Sequence, residues 1–148
     1  MIAIKKNSFI TLKNDSSFLG LCKEYENEYV EDMPPVKISN ETYINIDKAG
    51  KLSIFCAYKE NVLVGFLSLI ISVLPHYDVN AGIVESFFVS KDYRKTGAGL
   101  ILLKESENFA KEQGALVFLC STPIESRLCT ILPRKGYTKS DLVFSKRF

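Results

Sequence analysis

The chain has little charge of one sign. Its 19 Lys and Arg face 17 Asp and Glu, a formal net charge of +2, and the sequence pI is near 8.3. Nucleic-acid-binding domains usually carry a dense basic stripe and a higher pI, so no nucleic-acid partner is expected. Long apolar runs are also missing. The longest, Val62 to Leu74, is interrupted by Gly65 and Ser68 and falls short of the roughly 20 residues of a membrane helix. The N-terminus, MIAIKKNSFITLKND, shows no apolar segment followed by a small-residue cleavage site, so neither a membrane partner nor an export signal is expected. The four cysteines, Cys22, Cys56, Cys120 and Cys129, lack C-x-x-C spacing, and three of them lie inside apolar patterns. That excludes the usual zinc and redox motifs and points to buried reduced thiols, with no metal and a soluble, cytoplasmic setting. No internal repeat, low-complexity tract or linker divides the chain. With 148 residues, 47% of them hydrophobic and 24% charged, residues 1–148 are expected to form one domain with its own core.

What is present reads as alternating elements. Ile2, Ile4, Phe9, Ile10 and Leu12 predict a first strand, followed by turn and cap chemistry at Asn14, Asp15 and Ser16. Apolar residues at near-helical spacing predict a helix from Ser17 to Val30, stopped by Pro34 and Pro35. A second helix is predicted from about Asn40 to Lys48, capped by Ser39 or Asn40 and ended by Gly50. Leu52 to Tyr58 and Val62 to Val73, joined by a short polar turn, predict a β-hairpin. A loop is expected from Leu74 to Gly82, holding the single histidine, His76, and a strand from Ile83 to Val89. The pattern then changes period. Leu102, Leu103, Ser106, Phe109 and Ala110 make one face of an amphipathic helix that Gly114 stops. Ala115 to Ser121 is a continuous apolar run, expected to be a strand buried on both faces beside a parallel neighbour. Thr122, Pro123 and Glu125 have the pattern of a capping box, so a helix is expected from Pro123, ending or kinking near Leu132 because of Pro133. A last strand pair is expected at Tyr137 to Thr138 and Leu142 to Lys146.

The most informative stretch is Glu85 to Leu100, ESFFVSKDYRKTGAGL. A strand carrying one carboxylate passes through Arg94, Lys95, Thr96, Gly97, Ala98 and Gly99 into a helix. A glycine-containing turn at a helix start exposes backbone N–H groups at the positive end of the helix, with two basic side chains alongside. An anionic phosphate is the ligand that such a turn suits.

The run IVESFFVSKDYRKTGAGLILL resembles the central motif of the GNAT superfamily of acyl-CoA-dependent N-acetyltransferases. Arg94, Gly97 and Gly99 fill its fixed places, Leu102 and Leu103 fit the helix that follows, and the element order extends the likeness from about Leu52 to Tyr137. The resemblance implies an α/β fold with a mixed, splayed central sheet and helices on both faces. It implies acetyl-CoA as co-substrate, entering where the strand of Glu85 and the strand beginning at Ala115 part. The pyrophosphate would meet the backbone N–H groups from Lys95 to Leu100, and the pantetheine arm would run like an added strand along Phe87, Phe88 and Val89. Glu85 matches the place of a general base in many relatives. Strand alternation puts it on the face of Ile83, Phe87 and Val89, where partial desolvation would raise its pKa; a structural glutamate paired to a neighbour is the alternative. The function implied is acetyl transfer to a primary amine acceptor by direct attack, the acceptor being a small molecule or a lysine-type side chain, and the protein a monomer or homodimer.

A second family motif departs from the pattern. Relatives often carry a tyrosine, four residues before a Gly-Phe pair, that protonates the departing thiolate. Alignment on Gly136 and Tyr137 puts Leu132 there and Glu125 at the place of an asparagine. Tyr137, Tyr93, Cys129 or water are the substitutes available, with Tyr137 otherwise a core aromatic. The missing phenol leaves open a catalytically idle CoA-binding or protein-interaction module of the same fold. Two features concern the acceptor. Glu24, Glu26, Glu28, Glu31 and Asp32 could form an acidic wall that attracts a cationic amine, or a solvated helix face. His76 and Tyr77 could flank the acceptor, or lie exposed in a loop.

Overall fold

The computed structural model describes residues 1–28, 30, 32–38 and 40–148. Tyr29, Glu31 and the alternative helix cap Ser39 lie outside them.

Five strands form one sheet in the order β1-β2-β3-β4-β5. They are β1 (Ile2–Asn7), β2 (Leu52–Lys59), β3 (Val62–Leu74), β4 (Val79–Val89) and β5 (Val117–Cys120). The first four pair antiparallel and β5 joins β4 in parallel. This is the mixed α/β sheet that the family resemblance implies. The β2–β3 hairpin turns through Glu60 and Asn61, both at positive φ (49° and 66°), a primed turn whose twist matches the strands.

The first predicted strand ends early. Phe9–Leu12 is instead a single helical turn, α1. The Ser8 hydroxyl accepts from the Thr11 N–H at 3.2 Å, capping the turn and swinging Phe9 and Leu12 into the core. Next, α2 (Ser16–Glu26) is capped by Asp15, which accepts from the Phe18 N–H at 2.8 Å, and α3 (Asn40–Lys48) ends before Gly50 at φ 71°. These helices cover one face, where Phe9, Phe18, Leu21 and Cys22 pack on Ile54, Cys56, Phe66 and Phe88. The other face holds α4 (Ala98–Glu112) and α5 (Leu128–Arg134). There Leu102, Leu103, Ala110 and Leu132 bury Phe55, Leu67, Leu69, Val84 and Val89. Close approach of α4 explains Gly82, where an added Cβ would lie 2.7 Å from the Ala110 Cβ.

Four further expectations are corrected. The loop before β4 shrinks to a four-residue tip, because Val79–Gly82 pairs with Ile71–Leu74. Strand β5 is not buried on both faces: among the described residues it pairs only with β4, and Leu116 and Val117 are exposed. The last helix starts at Leu128 rather than Pro123, since the Thr122 hydroxyl bonds the Ser126 hydroxyl and 124–127 form turns. It also runs through Pro133, which in the last turn forfeits a single hydrogen bond. The final strand pair is not formed. With no partner on the outer edge of β5, Leu142, Val143 and Phe144 stay exposed, and a two-residue strand has too little pairing to hold a hairpin alone.

Candidate functional site

The site is organised by one extra residue in β4. Ser68 of β3 faces Ser86 and the next residue, Leu69, faces Val84, so Glu85 is the unpaired residue of a β-bulge. A bulge inverts the side-chain alternation beyond it. Val84 and Val89, five residues apart, therefore both face α4, while Phe88 joins the cluster under α1 and α2. The alternation expected from sequence is thus corrected: Glu85 lies opposite Phe87 and Val89, against α3. Its side chain is exposed rather than desolvated, and the Tyr43 hydroxyl of α3 donates to its carboxylate, with both oxygens at 2.9 Å.

The bulge is also where the sheet opens. The β4–β5 ladder runs from the Ala81/Val117 pair to the Val84/Cys120 pair and stops there. From Glu85 to Val89 the β5 side of β4 has no strand partner among the described residues, and the chain after Cys120 turns away toward α5. The gap is a groove of about 610 Å³. One wall is Phe87, Phe88 and Val89, the other includes Thr122, Ser126, Arg127 and Ile131, and the floor of the far end is Arg94, Lys95, Gly97, Gly99 and Leu100.

That far end gathers backbone amides and two basic side chains at the start of α4. After a short 3-10 turn at Lys91–Tyr93, Thr96 donates its hydroxyl to the Tyr93 carbonyl at 2.6 Å and accepts from the Ala98 N–H at 3.3 Å. The Thr96 N–H is itself held by the Tyr93 carbonyl at 3.1 Å. Thr96 and Ala98, both expected to contact the ligand, therefore brace the turn, and neither lines the groove. The N–H groups of Gly97, Gly99 and Leu100 find no acceptor among the described residues. Gly97 holds φ 84°, a left-handed conformation that costs little only for glycine. At Gly99 an added Cβ would meet Phe87 Cζ at 3.4 Å and Val89 Cγ2 at 3.6 Å, narrowing the groove without a clash. These free amides at a helix start fit a pyrophosphate.

Arg94 is tied down on three sides. Its Nε donates to the Val89 carbonyl at 2.9 Å, its guanidinium lies 5.4 Å from the Phe88 ring centre, and Nη2 pairs with the Glu28 carboxylate. Glu24 accepts from the Lys91 N–H at 3.1 Å and Glu26 from the Ile38 N–H at 3.3 Å. Three members of the acidic run thus hold α2 and the chain after it in place instead of forming an open wall. Glu31 lies outside the described residues.

Tyr137 is half-buried beyond the groove lining, and its hydroxyl donates to Glu107. Burial first, and then the Glu107 hydrogen bond and charge, push its pKa well above the usual phenol range. Leu132, at the place of the missing tyrosine, is buried in the core. His76 and Tyr77 stack edge-on at the β3–β4 tip, exposed at the opposite end of β4 from Val89. Sequence reasoning missed Arg127 on the groove wall and Tyr43 on the carboxylate. Nothing local marks Tyr43, which stands 42 residues from its partner.

The family model described as "Acetyltransferase (GNAT) family" matches residues 18–126. The chain belongs to this family. No curated protein matches its sequence. Among solved structures the chain is similar to a ribosomal-protein-alanine N-acetyltransferase from Brucella melitensis, at 17% identity, covering 100% of this chain and 99% of that one with a TM-score of 0.74. A glucosamine-6-phosphate N-acetyltransferase from Arabidopsis thaliana is 15% identical over 100% and 99% of the two chains, with a TM-score of 0.73. An aminoglycoside N-acetyltransferase in complex with CoA is 17% identical over 99% and 98%, with a TM-score of 0.72. At these identities the likeness is one of fold. Among the described residues no cluster of three or more His, Cys, Asp or Glu is placed to hold a metal ion, and no helix is long and apolar enough to cross a membrane.

Proposed function

We propose that this protein transfers an acetyl group from acetyl-CoA to a primary amine, by direct attack of the amine on the thioester. The observation that carries the reading is the groove itself: an unpaired stretch of β4 runs from an exposed carboxylate at Glu85 to the free amides of Gly97, Gly99 and Leu100. The amides, with Lys95 and Arg94, hold the pyrophosphate, and the open edge from Phe87 to Val89 binds the pantetheine arm as an added strand. Acetyl-CoA supplies the activated acyl group. Glu85, directly or through one water, takes a proton from the acceptor ammonium, and a backbone N–H at the Val89 end of β4 stabilises the charge that develops on the carbonyl oxygen.

No phenol is assigned as the acid. The Tyr137 proton is engaged by Glu107, and a thiol of pKa about 8–9 leaves acceptably as thiolate. The acceptor is a small molecule or a lysine side chain. The neighbours named for aminoglycosides and glucosamine 6-phosphate support the first. Four unpaired cysteines suit the cytoplasm, and residues 1–148 act as one domain.

Thermal unfolding with and without acetyl-CoA, then thiol release with a panel of amines, tests the reading. Acetyl-CoA should raise the melting temperature, at least one amine should release CoA, and Glu85→Gln should lose turnover while keeping acetyl-CoA affinity. No stabilisation at millimolar acetyl-CoA would sink the proposal. The buried Leu132 favours a second reading, an idle CoA-binding module; stabilisation without thiol release from any amine would select it.

A further inference from the structure

The carboxylate at the bulge is held by a hydroxyl from a different part of the chain. Tyr43 reaches both Glu85 oxygens at 2.9 Å, so its single proton bonds the carboxylate edge-on and fixes the rotation of a side chain that is otherwise exposed. The arm behind this hydroxyl is stiff. The Tyr43 ring stacks on the buried Phe9 of α1, centroids 5.0 Å apart and planes 29° from parallel. Helix α1 is fastened to α3 by the Ile10 N–H, which donates to Asp47 Oδ2 at 2.9 Å. Burial, followed by the charge and hydrogen bond of Glu85, raises the Tyr43 pKa far beyond the neutral range, so the phenol remains a donor at any working pH. A second phenol, Tyr25 of α2, is pushed up by burial and then by the Glu85 charge.

We propose that Tyr43 is the positioning residue for Glu85, holding its carboxylate on the α3 side of the bulge, next to the point where the β4–β5 ladder ends, so that an incoming amine meets an oriented base. This rests on the assignment of Glu85 as the base. In the step concerned, one N–H bond of the acceptor ammonium breaks and its proton passes to a Glu85 oxygen; the electron pair left on nitrogen forms the bond to the thioester carbonyl carbon, the C–S bond breaks, and the departing thiolate takes the second nitrogen proton to leave as the thiol. The Tyr43 hydroxyl keeps its own proton throughout and stays bonded to the carboxyl group. Holding a reacting group in place accounts for large rate factors, and a misplacement of about 1 Å can cost on the order of 100-fold.

The test uses Tyr43→Phe, which removes the hydroxyl and keeps the ring on Phe9, so the fold is retained. Initial rates of thiol release are measured at varied acetyl-CoA and varied amine for the parent, Tyr43→Phe, Glu85→Gln and the double variant. The expected result is a fall in kcat of roughly 10- to 100-fold in Tyr43→Phe, with the KM for acetyl-CoA within about twofold of the parent, and a double variant no slower than Glu85→Gln. A kcat within about twofold of the parent would overturn the role of Tyr43 and leave acetyl transfer standing; so would a loss that adds in full to that of Glu85→Gln. A parent that releases no thiol with any amine overturns the transfer reaction and this inference together, and shows it before any variant is made.

Discussion

Two glycines two residues apart should respond to the same substitution with opposite changes in stability. Gly97 sits at φ 84° with nothing within 4 Å of an added Cβ, so Gly97→Ala has a backbone cost alone, about 1–2 kcal/mol for a left-handed L-residue. At about 2–4 °C per kcal/mol for a chain of this size, the melting temperature should fall by roughly 2–8 °C. Gly99 lies in the first turn of α4, and its Cβ would make ordinary contacts with Phe87 and Val89. Gly99→Ala should therefore stabilise the free protein by about 0.4–1 kcal/mol through loss of unfolded-state freedom. Its new methyl group, however, enters the groove between the free amides and the β4 edge. Losing one hydrogen bond to a charged phosphate costs about 1.5–3 kcal/mol, or roughly ten- to a hundredfold in acetyl-CoA affinity. Melting curves and titration calorimetry on the two variants read both quantities. A Gly99→Ala protein that melts higher than the parent and still binds acetyl-CoA equally well would refute the cradle, because stability and folding could not then be blamed.

Other consequences follow from side chains already placed. Glu28 competes with an incoming phosphate for Arg94, and both side chains are more than a third exposed, so the pair is worth about 0.2–1 kcal/mol. Glu28→Gln should tighten acetyl-CoA binding by up to about fivefold, an effect that fades in high salt; weaker binding by calorimetry would contradict the competition. Burial pushes the Cys22 and Cys56 thiols up to about 12, and burial followed by the Glu107 charge pushes Cys120 up to about 11, whereas Cys129 is exposed. At pH 8 an alkylating reagent should label Cys129 quickly and the other three only on unfolding, as mass spectrometry would show. The raised values mean that the folded chain holds these protons more tightly than the unfolded chain. Their stabilisation is complete below about pH 9 and is lost as pH rises toward 12; a melting temperature unchanged over that interval would contradict the burial.

The parts legible in the sequence are those carried by local pattern. The β2–β3 hairpin, α3, α4 and the glycine turn before α4 each announce themselves through period, caps and glycine within a dozen residues. The bulge at Glu85 does not, because ESFFV reads as an unbroken strand and only the register against Ser68 and Leu69 reveals the extra residue. That single residue inverts the face of everything after it, which is why the alternation argument put Glu85 beside Phe87. The Tyr43–Glu85 and Glu28–Arg94 contacts span 42 and 66 residues, distances at which no periodicity carries information. The tail fails for another reason. Leu142 to Phe144 has strand composition, yet strand formation needs a partner edge, and composition cannot say whether one is within reach.

The bulge also reconciles two requirements that a regular strand would set against each other. In the proposed complex the acyl carrier lies along the open edge of β4 beside Phe87 and Val89, residues that face α4, with its phosphates at the start of α4. A base on that same face would compete for the space that the carrier occupies. With the register shifted by one residue, Glu85 turns to the α3 side, where Tyr43 waits, while Phe87 stays in the groove wall. In that proposal carrier and acceptor approach the gap from opposite faces of the sheet and meet where the β4–β5 ladder ends. In the proposed reaction that is the arrangement a direct transfer requires, since nucleophile and thioester come together without either displacing the other.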